Sequence, residues 1–201
     1  LKNKENYKKV IDIGGNVGLH SILMSKLGWD VEIYEPDPKH IEILKNNLKK
    51  NNCLSNTNVN AYAVFNEEKV LEFIRVLGNT TGSHISGMKE SPYGELDKFE
   101  VLTKDIRSII KGVDFIKLDA EGAEADIITA LSEEDLGRCD IMLEISTANS
   151  AKRIFNHIEK MNKIFIYSQM SNWLSADNIK KIPNSHRDGS AFISSKFFVP
   201  F

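Results

Sequence analysis

Short apolar runs alternate along the chain with segments whose apolar residues recur every three to four positions. Val10-Ile11-Asp12-Ile13 reads as a strand that stops at Gly14-Gly15. Over residues 17–27 the period changes. Leu19, Ile22, Leu23 and Leu27 fall on one helical stripe, expected to face the core, and Gly28 follows where a helix C-cap would sit. Val31-Glu32-Ile33-Tyr34 reads as a second strand, ended by Glu35-Pro36. Pro38 is placed to open a helix marked by Ile41, Leu44 and Leu48, which Asn51-Asn52 ends. A third strand is expected near residues 59–64.

Further on, residues 70–76 read as a strand. An irregular insertion follows over about residues 78–98, with Gly, Ser, Thr and Pro concentrated in residues 78–94. Residues 99–103 and 113–118 read as strands, and a short helix lies between them around residues 105–110. Residues 123–131 read as a helix and residues 141–145 as a strand. Ile154, Phe155, Ile158 and Met161 mark a third amphipathic helix. Residues 164–167 and 191–194 read as closing strands. The segment between them, with Trp173 and the polar run 183–189, is expected as an excursion at one end of the sheet. Strands alternating with helices predict an α/β fold with a parallel sheet, as one domain over residues 1–201.

Composition narrows the function classes. The chain has 201 residues, 41% hydrophobic and 27% charged, which suits a globular domain with a sizeable core. A formal charge of −2 gives no global field for nucleic acid or anionic membrane. Clusters such as Lys8-Lys9, Lys49-Lys50 and Lys180-Lys181 read as solvated faces. No apolar run approaches the ~20 residues of a membrane span. Leu1 in place of Met is what a trimmed chain or fragment gives, and no targeting segment is visible. Cys53 and Cys139 have no CxxC spacing, so buried structural thiols in a reducing, cytoplasmic setting are expected.

Three motifs carry candidate chemistry. Asp12-Ile13-Gly14-Gly15-Asn16-Val17-Gly18 lies between a strand and a helix, in D-x-G-x-N-x-G form rather than GxGxxG. Glycines there permit a sharp turn and close approach of a ligand to the backbone. Glu35 ends the next strand 23 residues after Asp12 (35 − 12). An acidic residue ~20 residues beyond a glycine loop is where a ribose hydroxyl pair is bound. In Asp114-Phe115-Ile116-Lys117-Leu118-Asp119-Ala120-Glu121-Gly122-Ala123-Glu124, alternation puts Phe115, Lys117 and Asp119 on one face of a strand. Lys117 and Asp119 read equally as a structural ion pair or as polar groups aimed at the carboxyl end of the sheet, where α/β sites form.

Together these motifs resemble the FkbM family of S-adenosylmethionine-dependent methyltransferases. The resemblance rests on residues 10–21, on Tyr34-Glu35-Pro36-Asp37-Pro38 and on residues 113–124, with weaker support at Ala63-Val64 and residues 141–145. It runs over roughly residues 8–168. The last long block is the most family-specific; the first two are shared with many methyltransferases. The resemblance implies a Rossmann-like class I methyltransferase fold, a seven-stranded, mostly parallel sheet with one antiparallel strand and helices on both faces. It implies S-adenosyl-L-methionine as cofactor, held by Asp12, Gly14, Gly15, Asn16, Gly18, Glu35, Pro36, Asp37 and Ala63, with Glu35 on the ribose. It also implies O-methylation of a hydroxyl on a carbohydrate or secondary metabolite. Gly15 stands where the family usually has Ala, a mild change, and His20 where an aromatic is common. Residues 78–98 match least, and acceptor specificity is expected there.

Displacement at a sulfonium methyl needs alignment above all, and a base that takes the hydroxyl proton adds ~10²–10⁴-fold. Asp119 is the first candidate base, with Glu121 and Lys117 completing the catalytic set. Glu124 and His84 are further candidates behind Asp119, and Glu121 and Glu124 read equally as complements to a helix N-terminus, the commoner use of acidic residues there. His84 and His186 read as solvent-exposed loop residues. Asp119, Glu121 and Glu144 would suit Mg²⁺, but strand-end carboxylates are common without metal, and none is expected. A small-molecule or carbohydrate acceptor is expected, not nucleic acid. The alternatives are an NAD-dependent oxidoreductase, a non-catalytic nucleoside-binding module of the same fold, and an RNA methylase, which the near-neutral charge disfavours.

Overall fold

Alternation along the central strands sorts side chains into two cores, one on each face of a sheet. The computed structural model describes residues 7–78, 82–88, 94–169, 173–185 and 188–196. It begins with β1 (Lys9–Ile13), α1 (Leu19–Lys26), β2 (Asp30–Tyr34), α2 (Pro38–Lys50), β3 (Thr57–Asn60) and β4 (Ala63–Phe65). Then come β5 (Val70–Val76), β6 (His84–Ile85), β7 (Leu96–Asp105), α3 (Ile106–Ile109), β8 (Phe115–Leu118), α4 (Glu124–Thr129) and α5 (Glu133–Arg138). The chain closes with β9 (Asp140–Glu144), α6 (Ala148–Ile158), β10 (Phe165–Gln169), β11 (Trp173–Ser175) and β12 (Ser190–Ser194). Val10 and Phe115 join Met24, Leu44 and Leu48 of α1 and α2 on one face. Ile11, Ile13, Ile116 and Leu118 join Ile106, Ile127, Leu136 and Ile154 of the other four helices on the opposite face. The face assignment of Phe115, Lys117 and Asp119 follows from the same alternation.

The main sheet has eight strands in the order β11-β10-β12-β9-β8-β1-β2-β3. β1 pairs in parallel with β2 and β8, as do β2 with β3 and β8 with β9. β12 is antiparallel to both neighbours, and β11 adds a second antiparallel strand at the edge. The sheet is therefore one strand wider than the seven expected. The extra strand comes from the Trp173 segment, which pairs with β10 instead of leaving the sheet.

The run expected as one strand near residues 59–64 is two. β3 closes the main sheet, while β4 enters a second, four-stranded sheet in the order β4-β7-β5-β6. Within the stretch expected to be irregular over 78–98, β6 pairs with β5 and the long β7 begins at Leu96. His84 is not solvent-exposed: it lies in β6 opposite Ile74 with 1% of its surface accessible. His186 lies outside the described residues.

Helix α1 is turned opposite to the expected stripe. Leu19, Leu23 and Leu27 are exposed, and Ser21, Met24 and Ser25 are buried. Hydrogen bonding explains the inversion. Ser21 Oγ donates to Asp12 Oδ2 at 2.5 Å in a fully buried contact, and Ser25 Oγ donates to Asn56. A buried carboxylate left without such a donor would cost about 1–3 kcal/mol, comparable to burying one more leucine. Helix α5 has no counterpart in the apolar pattern; Ser132 and Asp135 form its capping box.

Candidate functional site

The site begins where β1 ends. Gly14 and Gly15 both donate their N–H groups to the Tyr34 carbonyl, which fixes the glycine turn to the end of β2. Gly14 has φ +76°, and a Cβ there would lie 1.9 Å from the Asp119 carbonyl oxygen. Only glycine meets both demands. Gly15 faces the other way, where a Cβ would lie 2.4 Å from Ile33 Cγ2. Alanine at 15 is thus not a mild change in this chain, because the branched methyl of Ile33 occupies its space.

Asn16 takes a positive φ of +48°, and its N–H donates to Glu35 Oε2 at 2.8 Å. Glu35 Oε1 accepts from the Asp37 N–H at 2.9 Å and stands 3.6 Å from His40 Nδ1. Glu35 is 4% exposed, so its carboxylate is buried in the wall of a hollow and held at both ends. His40, on the same helix face as Leu44 and Leu48, also lines the hollow. The neighbouring Glu35 carboxylate raises the pKa of His40, against the opposing effect of burial.

The hollow encloses about 570 Å³ of empty space, counting the part open to solvent. It opens at the carboxyl ends of β1, β2 and β8, where doubly wound sheets bind ligands. Of the residues singled out from the sequence, Gly14, Asn16, Glu35, Pro36 and Ala63 line it, and Asp119 and Glu121 line it from the β8 side. Glu121 has φ +51°, an uncommon conformation for a residue with a side chain. Tyr34, from the second motif block, also lines it, but no motif points to the remaining walls: His40 from α2, and Phe73, Ser83 and Ile85 from the second sheet.

The other residues singled out lie behind the hollow. Asp12 is fully buried between Ser21 and Lys117. Gly15 and Gly18 pack against Leu44. Asp37 caps α2 and accepts both Nε–H and Nη2–H of Arg75 at 2.6 Å each. Burial would raise its pKa, but the Arg75 guanidinium holds it below the usual carboxylate value. Lys117 Nζ donates to the Gly14 carbonyl at 3.0 Å and lies 3.4 Å from both Asp12 and Asp119. Burial opposes its charge, but the two carboxylates outweigh burial and raise its pKa. Glu124 does not reach the hollow. It accepts from the Ala120 and Gly122 N–H groups and from Ser146 Oγ, and burial pushes its pKa up to about 7. Among the described residues no group of three His, Cys, Asp or Glu side chains is placed to hold a metal ion, and no helix is long and apolar enough to cross a membrane.

The sheet order and the hollow at its carboxyl edge define an α/β domain of the class I methyltransferase type. Its relatives narrow this further. A model of the FkbM methyltransferase domain matches residues 12–173, most of the chain, and the chain belongs to that family. The FkbM methyltransferase of Methylobacillus flagellatus KT superposes with a TM-score of 0.56 at 15% identity, over 93% of this chain and 43% of that one. This chain thus spans less than half the length of that protein. A protein assigned as an rRNA methylase in Clostridium thermocellum gives 0.53 at 7% identity, over 96% of this chain and 91% of that one. At these identities the likeness is one of fold. No curated protein sequence matches the chain. The family match runs against the nicotinamide-dependent alternative.

Proposed function

We propose that this domain is an S-adenosylmethionine-dependent methyltransferase acting on a hydroxyl of a carbohydrate or secondary metabolite. The observation that carries the reading is the buried Glu35 carboxylate in the wall of the hollow, tied to the glycine turn through the Asn16 N–H. The donor set and walls fit the cofactor. Glu35 Oε2 takes one protein N–H, from Asn16, and keeps a second acceptor direction for a ribose hydroxyl, while Oε1 is turned to the Asp37 N–H and His40. Tyr34, Phe73 and Ile85 offer apolar surface for a base. Gly14, Asn16, Glu35, Pro36 and Ala63 would hold the cofactor. Bound there, it supplies an activated methyl group.

Asp119 lines the same hollow, and its side chain is 35% exposed, so it is accessible to an acceptor hydroxyl. In this reading it accepts the hydroxyl proton. Lys117 does not line the hollow; it positions Asp119 and the Gly14 carbonyl from behind. Glu121 is the second acidic group on that wall. The second sheet contributes Phe73, Ser83 and Ile85 to the hollow, and in this reading it belongs to the same domain, with acceptor selection on that side. Two buried free thiols, Cys53 and Cys139, fit a reducing, cytoplasmic setting.

Transfer of isotope-labelled methyl groups to a panel of sugars, phenolic metabolites and RNA tests the reading. Labelled hydroxyl products are expected. Labelled RNA as the sole product would overturn the acceptor class, and binding without transfer would leave a nucleoside-binding module.

A further inference from the structure

His40 has a role that neither the motifs nor the family match assigns. It is 6% exposed, lines the hollow and faces two carboxylates, with Nδ1 3.6 Å from Glu35 Oε1 and 3.9 Å from Asp37 Oδ2. The two carboxylates are not equivalent. Asp37 is fixed by two hydrogen bonds from Arg75 and by capping α2. Glu35 has one N–H at each oxygen, from Asn16 and Asp37, and among the described residues its ion-pair partner is His40. An imidazolium between them would therefore add most to the group that faces the hollow.

We propose that His40 is a positioning residue for nucleoside binding: as the imidazolium it pairs with Glu35 Oε1 and fixes that carboxylate in the orientation that receives the ribose hydroxyls. The inference rests on the cofactor reading given above. Its consequence is that affinity for a ribose-bearing ligand is highest while His40 is protonated and declines as pH rises through its titration.

The charged and titratable groups around His40 support this direction. From the β2 side, Tyr34, Glu35 and Asp37 face the site; from β5, Arg75, itself paired with Asp97 of β7; and across the hollow, Asp119 and Glu121. Glu35 and Asp37 raise the pKa of His40, while burial and Arg75 lower it, and the net shift is upward. A ribose held by Glu35 would deepen the same pairing, so ligand and proton should bind cooperatively.

Adenosine tests this without the titrating amino group of the full cofactor. Its affinity is measured by calorimetry on the whole chain and on His40→Gln, from about pH 6 to about pH 9, across the histidine range. The same series is run with 2′,3′-dideoxyadenosine, which lacks the hydroxyls. The wild type should lose about tenfold in adenosine affinity over that span, the order of one charge-assisted contact. His40→Gln should be weak and flat with pH, and the dideoxy ligand should show no pH dependence with either protein. By NMR, the His40 imidazole of the wild type should titrate at higher pH once adenosine is added, a readout that does not depend on the variant folding. An unshifted imidazole, equal pH profiles for folded His40→Gln and wild type, or full pH dependence with the dideoxy ligand would each overturn the proposal. Failure of the wild type to bind either adenosine or S-adenosylhomocysteine at any pH would overturn the cofactor reading itself, and the His40 proposal with it.

Discussion

Gly14 and Asp119 meet backbone to backbone: a Cβ on Gly14 would lie 1.9 Å from the Asp119 carbonyl oxygen, while the Asp119 N–H donates to the Ile13 carbonyl at 3.1 Å. The turn after β1 and the turn after β8 are therefore one unit. Gly14→Ala should destabilise the fold by about 2–4 kcal/mol, from a positive φ and from a clash with main chain that no rotamer relieves. Gly28 is the control. It has φ +84°, but a Cβ there would meet nothing within 4 Å, so Gly28→Ala should cost only about 1 kcal/mol. Urea denaturation of both variants checks the pair; equal losses would show that the loop contact adds nothing.

Arg75 ties the second sheet to the wall that carries Glu35. It donates to both oxygens of Asp37 and lies over the Phe99 ring at 4.6 Å. Arg75→Met should cost about 3–5 kcal/mol, because it leaves Asp37 buried without its guanidinium. The Asp37 pKa is lowered in the folded state, so its contribution to stability is present above the unfolded carboxylate value of ~3.9 and is lost as pH falls through the folded value. Wild-type stability should therefore drop steeply in that acidic range and the Arg75→Met curve should be flatter there. Parallel curves would contradict the pairing.

Glu124 gives the opposite sign. Its pKa is raised from 4.5 to about 7, so the folded state holds a proton that the unfolded state releases. Stability from this group is complete below pH 4.5 and is lost as pH rises towards 7, by on the order of 3 kcal/mol. Glu124→Gln should flatten the stability curve across that window, measured by denaturant titration at each pH. An unchanged slope would remove Glu124 from the account.

Asp119→Asn should lower methyl transfer by ~10²–10⁴-fold while S-adenosylhomocysteine affinity changes little. Lys117→Met acts through Asp119 and the Gly14 carbonyl, so it should lower both transfer and stability. Full turnover in Asp119→Asn would pass the base role to Glu121.

The sequence made legible whatever local pattern determines. The glycine turn, Glu35 at the end of β2, the Pro38 start of α2, and the alternation of β8 all follow from short-range spacing. What it hid depends on distant partners. Ser21 is buried because Asp12 needs its hydroxyl, so the leucines of α1 turn outward against their hydropathy. Arg75 and Asp37 are 38 residues apart, and no spacing links them. His84 sits in a two-residue strand too short to show a period. His40 shares an apolar helix face with Leu44 and Leu48, a signal that is present but indistinguishable from an ordinary buried histidine.

The central claim is that the hollow beside Glu35 binds an adenosyl sulfonium through its ribose. Calorimetric titration of S-adenosylmethionine and S-adenosylhomocysteine into wild type and Glu35→Ala measures it directly. The account predicts binding of both ligands to the wild type and at least about a tenfold loss in Glu35→Ala, with the variant still folded. No heat from either ligand, or equal affinity in a folded Glu35→Ala, would contradict it.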